Sequence, residues 1–290
     1  MDRFGLPAPI ATTPRVRFRE LRSLWIQVTG TLCNLACTHC LNASGPRAPW
    51  LASLDGDTVR RALADAEAHA VKEIYFTGGE PFLHPEIIDF LDAALAIGPT
   101  TVLTNGTLID GALARRLAAL AAASLYSLEI RVSLDGASAE DNDAVRGAGT
   151  FARAMSGLRA LAAHDLLPIV TATDVRRDPT LGPRLRDALL AAGLTRPRIK
   201  VLPLLPAGRA ARRGTVPVLT ADDLEGFDDQ WLMCAGTRVV AAGGVYACPI
   251  LAGLSGARLG STVAASFGST PLYHPACRTC WETGLACTNA

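Results

Sequence analysis

The sequence has no long apolar run, no excess of either charge, and no cysteine between residues 41 and 233. Each absence narrows the function. The two most apolar stretches are residues 117–123, which are too few, and 239–254, which Gly243, Gly244 and Pro249 interrupt; neither reads as a membrane span. The first twenty residues lack the apolar core and cleavage site of a signal peptide. A net charge of +1 with no acidic tail argues against a nucleic-acid binder. No internal repeat of solenoid period is visible. The expectation is a soluble, cytoplasmic protein with no nucleic-acid or membrane partner. With 290 residues, nearly half of them hydrophobic, the chain can bury one long α/β domain or a main domain with an appendix.

The eight cysteines are placed unevenly: Cys33, Cys37 and Cys40 lie together, and Cys234, Cys248, Cys277, Cys280 and Cys287 follow the long gap. In a cytosolic chain such thiols are metal ligands or catalytic groups rather than disulfides, so two metal-bearing regions are expected. Three thiols can ligate three irons of a [4Fe–4S] cube, and the lack of a nearby fourth leaves one iron open to a substrate or cofactor. Electron-transfer clusters normally have four protein ligands. A zinc site or buried thiols are the alternatives, although structural zinc usually shows paired spacings that close a tetrahedron.

Short β-rich runs alternate with longer Ala/Leu/Arg segments of helical period. Strands are expected at 24–28, 73–77, 101–104, 130–134, 167–172 and 199–204, and helices at 57–70, 85–97, 109–122, 151–164 and 179–192. Asp55 or Asp57 caps the first helix, while Gly98 and Gly193 end the second and the last. Six βα units cannot close an eight-stranded barrel. The fold expected is therefore α/β, an open partial (βα)6 barrel with right-handed crossovers and a cleft at its strand C-termini. Beyond Pro206, residues 208–214 read as a linker, 219–224 as a capped helix start and 238–247 as a hairpin turning at Gly243-Gly244. The expected division is an N-terminal extension at 1–21, the partial barrel at 22–207, a linker and helix at 208–233, and a small C-terminal iron–sulfur module built on the hairpin at 234–290.

The segment Cys33-Asn34-Leu35-Ala36-Cys37-Thr38-His39-Cys40, with His39 as its ring-bearing residue, resembles the CxxxCxΦC motif of the radical S-adenosylmethionine (SAM) superfamily. Thr77-Gly78-Gly79-Glu80-Pro81 resembles the GGEP motif of the same enzymes; paired glycines let the backbone approach a ligand closely. The resemblance implies SAM chelated to the open iron, with contacts from the GGEP segment to its ammonium. It also implies cleavage to a 5′-deoxyadenosyl radical, and an electron donor such as flavodoxin or ferredoxin. Thr104, Asn105, Ser133 and Asp135, at strand ends, are candidates for the ribose and carboxylate of SAM, and Arg146 for pairing with a carboxylate. Each is equally well read as a residue capping its own turn.

The C-terminal cysteines resemble the auxiliary-cluster modules, SPASM or twitch, of the superfamily. Cys234, Gly243 and Cys248 match the hairpin part, and Cys277, Cys280 and Cys287 the downstream run. Five thiols suffice for one further [4Fe–4S] cluster, so the twitch form and two clusters in all are expected; a zinc ribbon of Cys234, Cys248, Cys277 and Cys280 is the alternative. One thiol is left over. The ligands expected are Cys234, Cys277, Cys280 and Cys287, with Cys248, fixed before Pro249, as a reactive thiol; in the opposite assignment Cys248 ligates and Cys287 does not.

A thiol beside a substrate radical can return a hydrogen atom from the opposite face and invert a carbon centre. In size, auxiliary cluster and extra cysteine the chain resembles the radical SAM epimerases of aminoglycoside biosynthesis, such as that of neomycin. That implies a small-molecule substrate, an aminoglycoside or other sugar. The acids Asp222, Asp223, Glu225, Asp228 and Asp229 are candidates to meet its amines, although such a run is more often a solvated helix start. Three readings compete. One is an aminocyclitol dehydrogenase with the auxiliary cluster as electron acceptor. Another is a peptide maturase, whose usual N-terminal peptide-binding domain exceeds the twenty residues before the first strand. The third is a non-catalytic iron–sulfur partner protein.

Overall fold

A computed structural model of the chain describes residues 8–47, 49–211 and 216–284. Six parallel strands form the barrel wall: β2 (Ser23–Gln27), β3 (Glu73–Thr77), β4 (Thr100–Thr104), β5 (Leu128–Ser133), β6 (Ile169–Asp174) and β7 (Arg198–Pro203), hydrogen-bonded in chain order. A short β1 (Arg15–Val16) precedes them. Alternation in each strand serves two faces. Leu24, Ile26, Ile74, Phe76, Val102, Ile130 and Val132 pack outward in the core shared with the helices, while Trp25 and Tyr75 belong to a second cluster on the concave side.

The helices are α1 (Gly56–Ala68), α2 (Ile87–Leu95), α3 (Gly111–Ala123), α4 (Ala139–Arg146), α5 (Thr150–Ala162) and α6 (Leu181–Ala191). Asp55 caps α1 by accepting from the Thr58 amide, and the helix buries Val59, Ala62, Leu63 and Ala66, one stripe of helical period. Helix α4 was not expected from the sequence. It is short and polar, capped by Ser138, and only Asn142 and Val145 are buried, so it carries no apolar stripe to read.

The C-terminal hairpin of β8 (Thr237–Ala241) and β9 (Gly244–Tyr246) does not stand apart from the barrel. Strand β8 lies parallel to β2, with Val239 beside Trp25, and β9 and β10 (Arg258–Gly260) extend the sheet to nine strands among the described residues. Every residue of β8 is buried, and Ser23 Oγ and Thr237 Oγ1 share a hydrogen bond of 2.7 Å, so the hairpin covers the β2 edge. The expected helix start at 219–224 is a single 3₁₀ turn, Asp222–Leu224. Strand β1 pairs with β11 (Thr270–Pro271), and Phe18 stacks on Phe267 at 4.7 Å beneath the buried Arg238 guanidinium, which ties the N-terminal segment to the C-terminal part. The final helix, α7 (Pro275–Thr283), carries Cys277 and Cys280. Among the described residues no helix is long and apolar enough to cross a membrane.

Candidate active site

A cavity of about 250 Å³ opens at the C-terminal ends of the barrel strands. The loop after β2 brings Cys33, Cys37 and Cys40 to one wall, with His39 and Ser44 beside them; Gly78, Gly79, Thr104, Asn105 and Ser133 line the neighbouring strand ends, and Arg146 and Arg209 also face in. Cys33 and Cys37 are buried, and burial pushes the Cys33 thiol up to about 12 and raises that of Cys37. Thiols of that kind stay protonated at neutral pH unless a metal displaces the proton. Backbone amides already point at two of the sulfurs, Leu35 N at 3.4 Å from Cys33 Sγ and Ser44 N at 3.3 Å from Cys40 Sγ.

The glycine pair is required by close approach. A Cβ on Gly79 would lie 2.0 Å from the Leu32 carbonyl oxygen, and one on Gly78, whose φ is +154°, would lie 2.1 Å from Thr29 Oγ1. Glu80 behaves differently from its neighbours. It is fully buried and does not reach the cavity: its carboxylate accepts from Thr104 Oγ1 at 2.7 Å, Asn105 N at 2.8 Å and Phe82 N at 3.2 Å, and so ties the ends of β3 and β4 together. Burial pushes its pKa up to about 7 despite those donors.

Asp135, expected among the cofactor contacts, also turns away. Its carboxylate meets Arg146 Nε at 2.6 Å, His39 Nε2 at 3.0 Å and Thr173 N at 2.7 Å, and it is absent from the cavity wall. Asp135 therefore holds His39 and Arg146 in place, while those two side chains face the cavity. Arg209 went unremarked in the sequence. Its side chain donates to the carbonyls of Cys37 and Ser44, both at 2.6 Å, and braces the cysteine loop from the far side of the chain. It is one of three arginines in the linker at 208–214, and nothing local sets it apart from Arg212 and Arg213.

The second group of cysteines surrounds a smaller cavity, of about 30 Å³, lined by Cys234, Cys248, Cys277 and Cys280 with Met233, Ile250, Leu251 and Leu272 among the apolar wall. This corrects the expectation for Cys248. Its thiol faces the three other cysteines and not the barrel cavity, because the β9 strand end delivers it to the side where α7 packs. Burial raises all four thiols, Cys248 up to about 12 and Cys280 up to about 11. Cys287 lies outside the described residues. The acidic run is also away from the barrel cavity: Asp223 pairs with Arg278 at 2.6 Å and Asp229 with Arg19 at 2.8 Å.

A family model described as the Radical SAM superfamily matches residues 28–176, half of the chain. The chain belongs to the radical SAM superfamily. Mycofactocin maturase MftC of Mycobacterium ulcerans (strain Agy99) is 33% identical over 258 residues, covering 88% of this chain and 63% of the relative. AdoMet-dependent heme synthase of Oleidesulfovibrio alaskensis is 32% identical over 196 residues, 67% of this chain and 48% of the relative. The chain thus spans 63% and 48% of the lengths of these two curated relatives. Among solved structures, Streptococcus suis SuiB bound to precursor peptide SuiA has the same fold, with a TM-score of 0.62 at 16% identity over 81% of this chain and 61% of that one. The radical SAM α/β fold, a partial parallel sheet with a twitch-like extension, is as expected; the curated relatives named above, a maturase and a heme synthase, lend no support to the expected epimerase.

Superfamily membership implies a [4Fe–4S] cluster and SAM. The barrel cavity fits both. Three thiols, two of them buried, line it with backbone donors on two of them, a Cβ at Gly79 would fill the approach to the loop, and the buried His39 Nδ1 and Ser44 Oγ have no hydrogen-bond partner among the described residues. Such orphaned atoms are expected where a polar ligand completes the wall.

Proposed function

We propose that this radical SAM enzyme is a maturase that modifies a peptide. The observation that carries the reading is the 33% identity to a maturase over 88% of the chain. The lining of the cavity supports it against a cationic sugar: among the described residues that form the wall there is no aspartate or glutamate. An aminoglycoside would bring several ammonium groups to a site with no carboxylate to receive them.

In this reading Cys33, Cys37 and Cys40 hold the cluster, and Gly78, Gly79, Thr104, Asn105, Ser133, His39 and Arg146 surround SAM. When bound, these two cofactors supply the one-electron chemistry that removes a hydrogen atom from an unactivated C–H bond. The chain's own residues orient and seal. Asp135 fixes His39 and Arg146, Glu80 fixes the β3 and β4 strand ends, and Arg209 braces the cysteine loop. Leu103, Leu202, Leu205 and Ile250 exclude water from the cavity.

Cys234, Cys248, Cys277 and Cys280 hold a second [4Fe–4S] cluster in the same proposal. Four thiols on one small cavity match the number of protein ligands that such a cluster takes. Ile250 lines both cavities, so one 3₁₀ turn, Pro249–Leu251, separates the second cluster from the substrate. That proximity suits an electron acceptor for an oxidative modification. A cytoplasmic setting and a flavodoxin or ferredoxin donor complete the proposal.

The test is to incubate anaerobically reconstituted protein with SAM, dithionite and synthetic peptides encoded by short reading frames beside its gene. Peptide-dependent formation of 5′-deoxyadenosine, with a changed peptide mass, is expected. Stimulation by aminoglycosides alone would overturn the reading.

A further inference from the structure

The barrel interior below the SAM site carries side chains that the proposed chemistry has not used. In β2 and β3, Trp25 and Tyr75 face the interior and stack at 4.2 Å with their planes 5° apart. On β5, Arg131 is 4% exposed, lies 5.5 Å from the Tyr75 ring centroid and bonds Glu129 at 2.9 Å. Thr171 on β6 and Lys200 on β7 occupy paired positions in the sheet. Trp25, Arg131, Thr171 and Lys200 all line the cavity.

Charge makes this wall distinctive. The cavity is lined by the cations Arg131, Arg146, Lys200 and Arg209, without a carboxylate among the described lining residues. Arg146 and Arg209 belong to the cluster side: the first is held by Asp135, and the second spans the carbonyls of Cys37 and Ser44. Arg131 lies two residues before Ser133 on the same face of β5, hence about 7 Å deeper in the barrel. Glu129 is shared between Arg131 and Arg198, at 2.9 and 2.8 Å, and Glu73 accepts from Tyr75.

Two buried atoms beside the cations ask for a ligand. Trp25 Nε1, on a side chain 2% exposed, and Thr171 Oγ1 have no hydrogen-bond partner among the described residues. An indole N–H can only donate. A guanidinium, an ammonium, an indole N–H and a hydroxyl lining one cavity make a donor-rich site for an anionic oxygen group, and a carboxylate takes a guanidinium in bidentate fashion.

We propose that Trp25, Arg131, Thr171 and Lys200 form a subsite for a carboxylate of the substrate, which fixes the adjoining carbon beneath SAM. The proposal rests on the peptide reading for the kind of molecule that carries the carboxylate, either a C-terminus or an Asp or Glu side chain.

The test uses saturation-transfer NMR and equilibrium dialysis on reconstituted protein with SAM. The probes are N-acetyl-Ala-Leu-Ala-Leu as its C-terminal acid, the same peptide as its amide, an amide with Glu at the third position, and octanoate with octanamide. Acid is expected to bind at least tenfold tighter than its amide, and Lys200→Met and Arg131→Lys to remove that preference while SAM binding stays within about threefold. Preference for the acid peptide over the Glu-containing amide assigns a C-terminus, and the reverse assigns a side chain. If octanoate shows the preference and no peptide does, the carboxylate subsite stands and the peptide reading fails. Equal binding of every acid and amide, or no binding of any, overturns the subsite. Loss of SAM binding together with the preference in both variants also overturns it, since the two cations would then serve the carboxylate of SAM.

Discussion

Asp135 Oδ2 lies 2.6 Å from Arg146 Nε, and the two side chains form a buried ion pair at the edge of the cysteine loop. Burial opposes the charge on Asp135, yet Arg146 and then His39 hold its carboxyl well below the usual range. Arg146 in turn presents its carbonyl oxygen 4.0 Å from Cys37 Sγ. Asp135→Asn is expected to destabilise the apoprotein by about 3–5 kcal/mol, because it leaves a buried guanidinium without its counter-charge. Arg146→Met should do the same, and the double variant should cost less than the sum of the two. Urea unfolding at pH 7 measures all three. A carboxyl held low contributes its stability above the ordinary range, about pH 4, and loses it only as pH falls below that. The Asp135→Asn difference should therefore be constant between pH 5 and 8.

Glu80 gives the opposite pH dependence. Its pKa is raised from 4.5 to about 7 by burial, so between those values the folded chain keeps a proton that the unfolded chain has released. Stability of the apoprotein should fall as pH rises through that window and level off above it, with a total of about 3 kcal/mol. Glu80→Gln keeps an acceptor for Asn105 and Thr104 and should flatten that slope. Unfolding curves at pH 5 and pH 7.5 decide it; a parent protein equally stable at both would show that Glu80 is not raised.

Gly79→Ala places a methyl group 2.0 Å from the Leu32 carbonyl oxygen and 2.8 Å from Cys33 Cβ. Neither can yield without moving the loop that carries the three cysteines. Reconstituted Gly79→Ala should retain about four of about eight irons and lose SAM cleavage. Full iron content with normal cleavage would mean that the loop tolerates the shift.

Cys248→Ala separates two roles for one thiol. As a ligand of the second cluster it should take about four irons with it and leave SAM cleavage intact, since the triplet at Cys33, Cys37 and Cys40 is untouched. Iron and sulfide analysis with electron paramagnetic resonance is the measurement. A variant with the iron content of the parent would show that Cys248 does not ligate.

The sequence by itself determined the features whose causes are local. Three thiols four and three residues apart on one loop come to one wall of the barrel cavity, and the GGEP turn is readable because only glycine permits the approach to Leu32 and Thr29. The short apolar runs at 24–28 and 73–77 marked strands that appear at Ser23–Gln27 and Glu73–Thr77, because both faces of each are occupied. One such run hid a signal: Arg131, between Ile130 and Val132, is a charge on the inward face of a buried strand.

Only the tertiary structure decided the rest, because those relations depend on chain segments distant in sequence. The grouping of Cys248 with Cys234, Cys277 and Cys280 follows from β8 pairing with β2 and from α7 packing against the turn at Pro249–Leu251. The inward acids expected at Glu80 and Asp135 became braces once burial gave each a set of donors, Thr104 and Asn105 for one, Arg146 and His39 for the other. A carboxylate's role is set by whether donors or solvent surround it, and spacing along the chain does not carry that information.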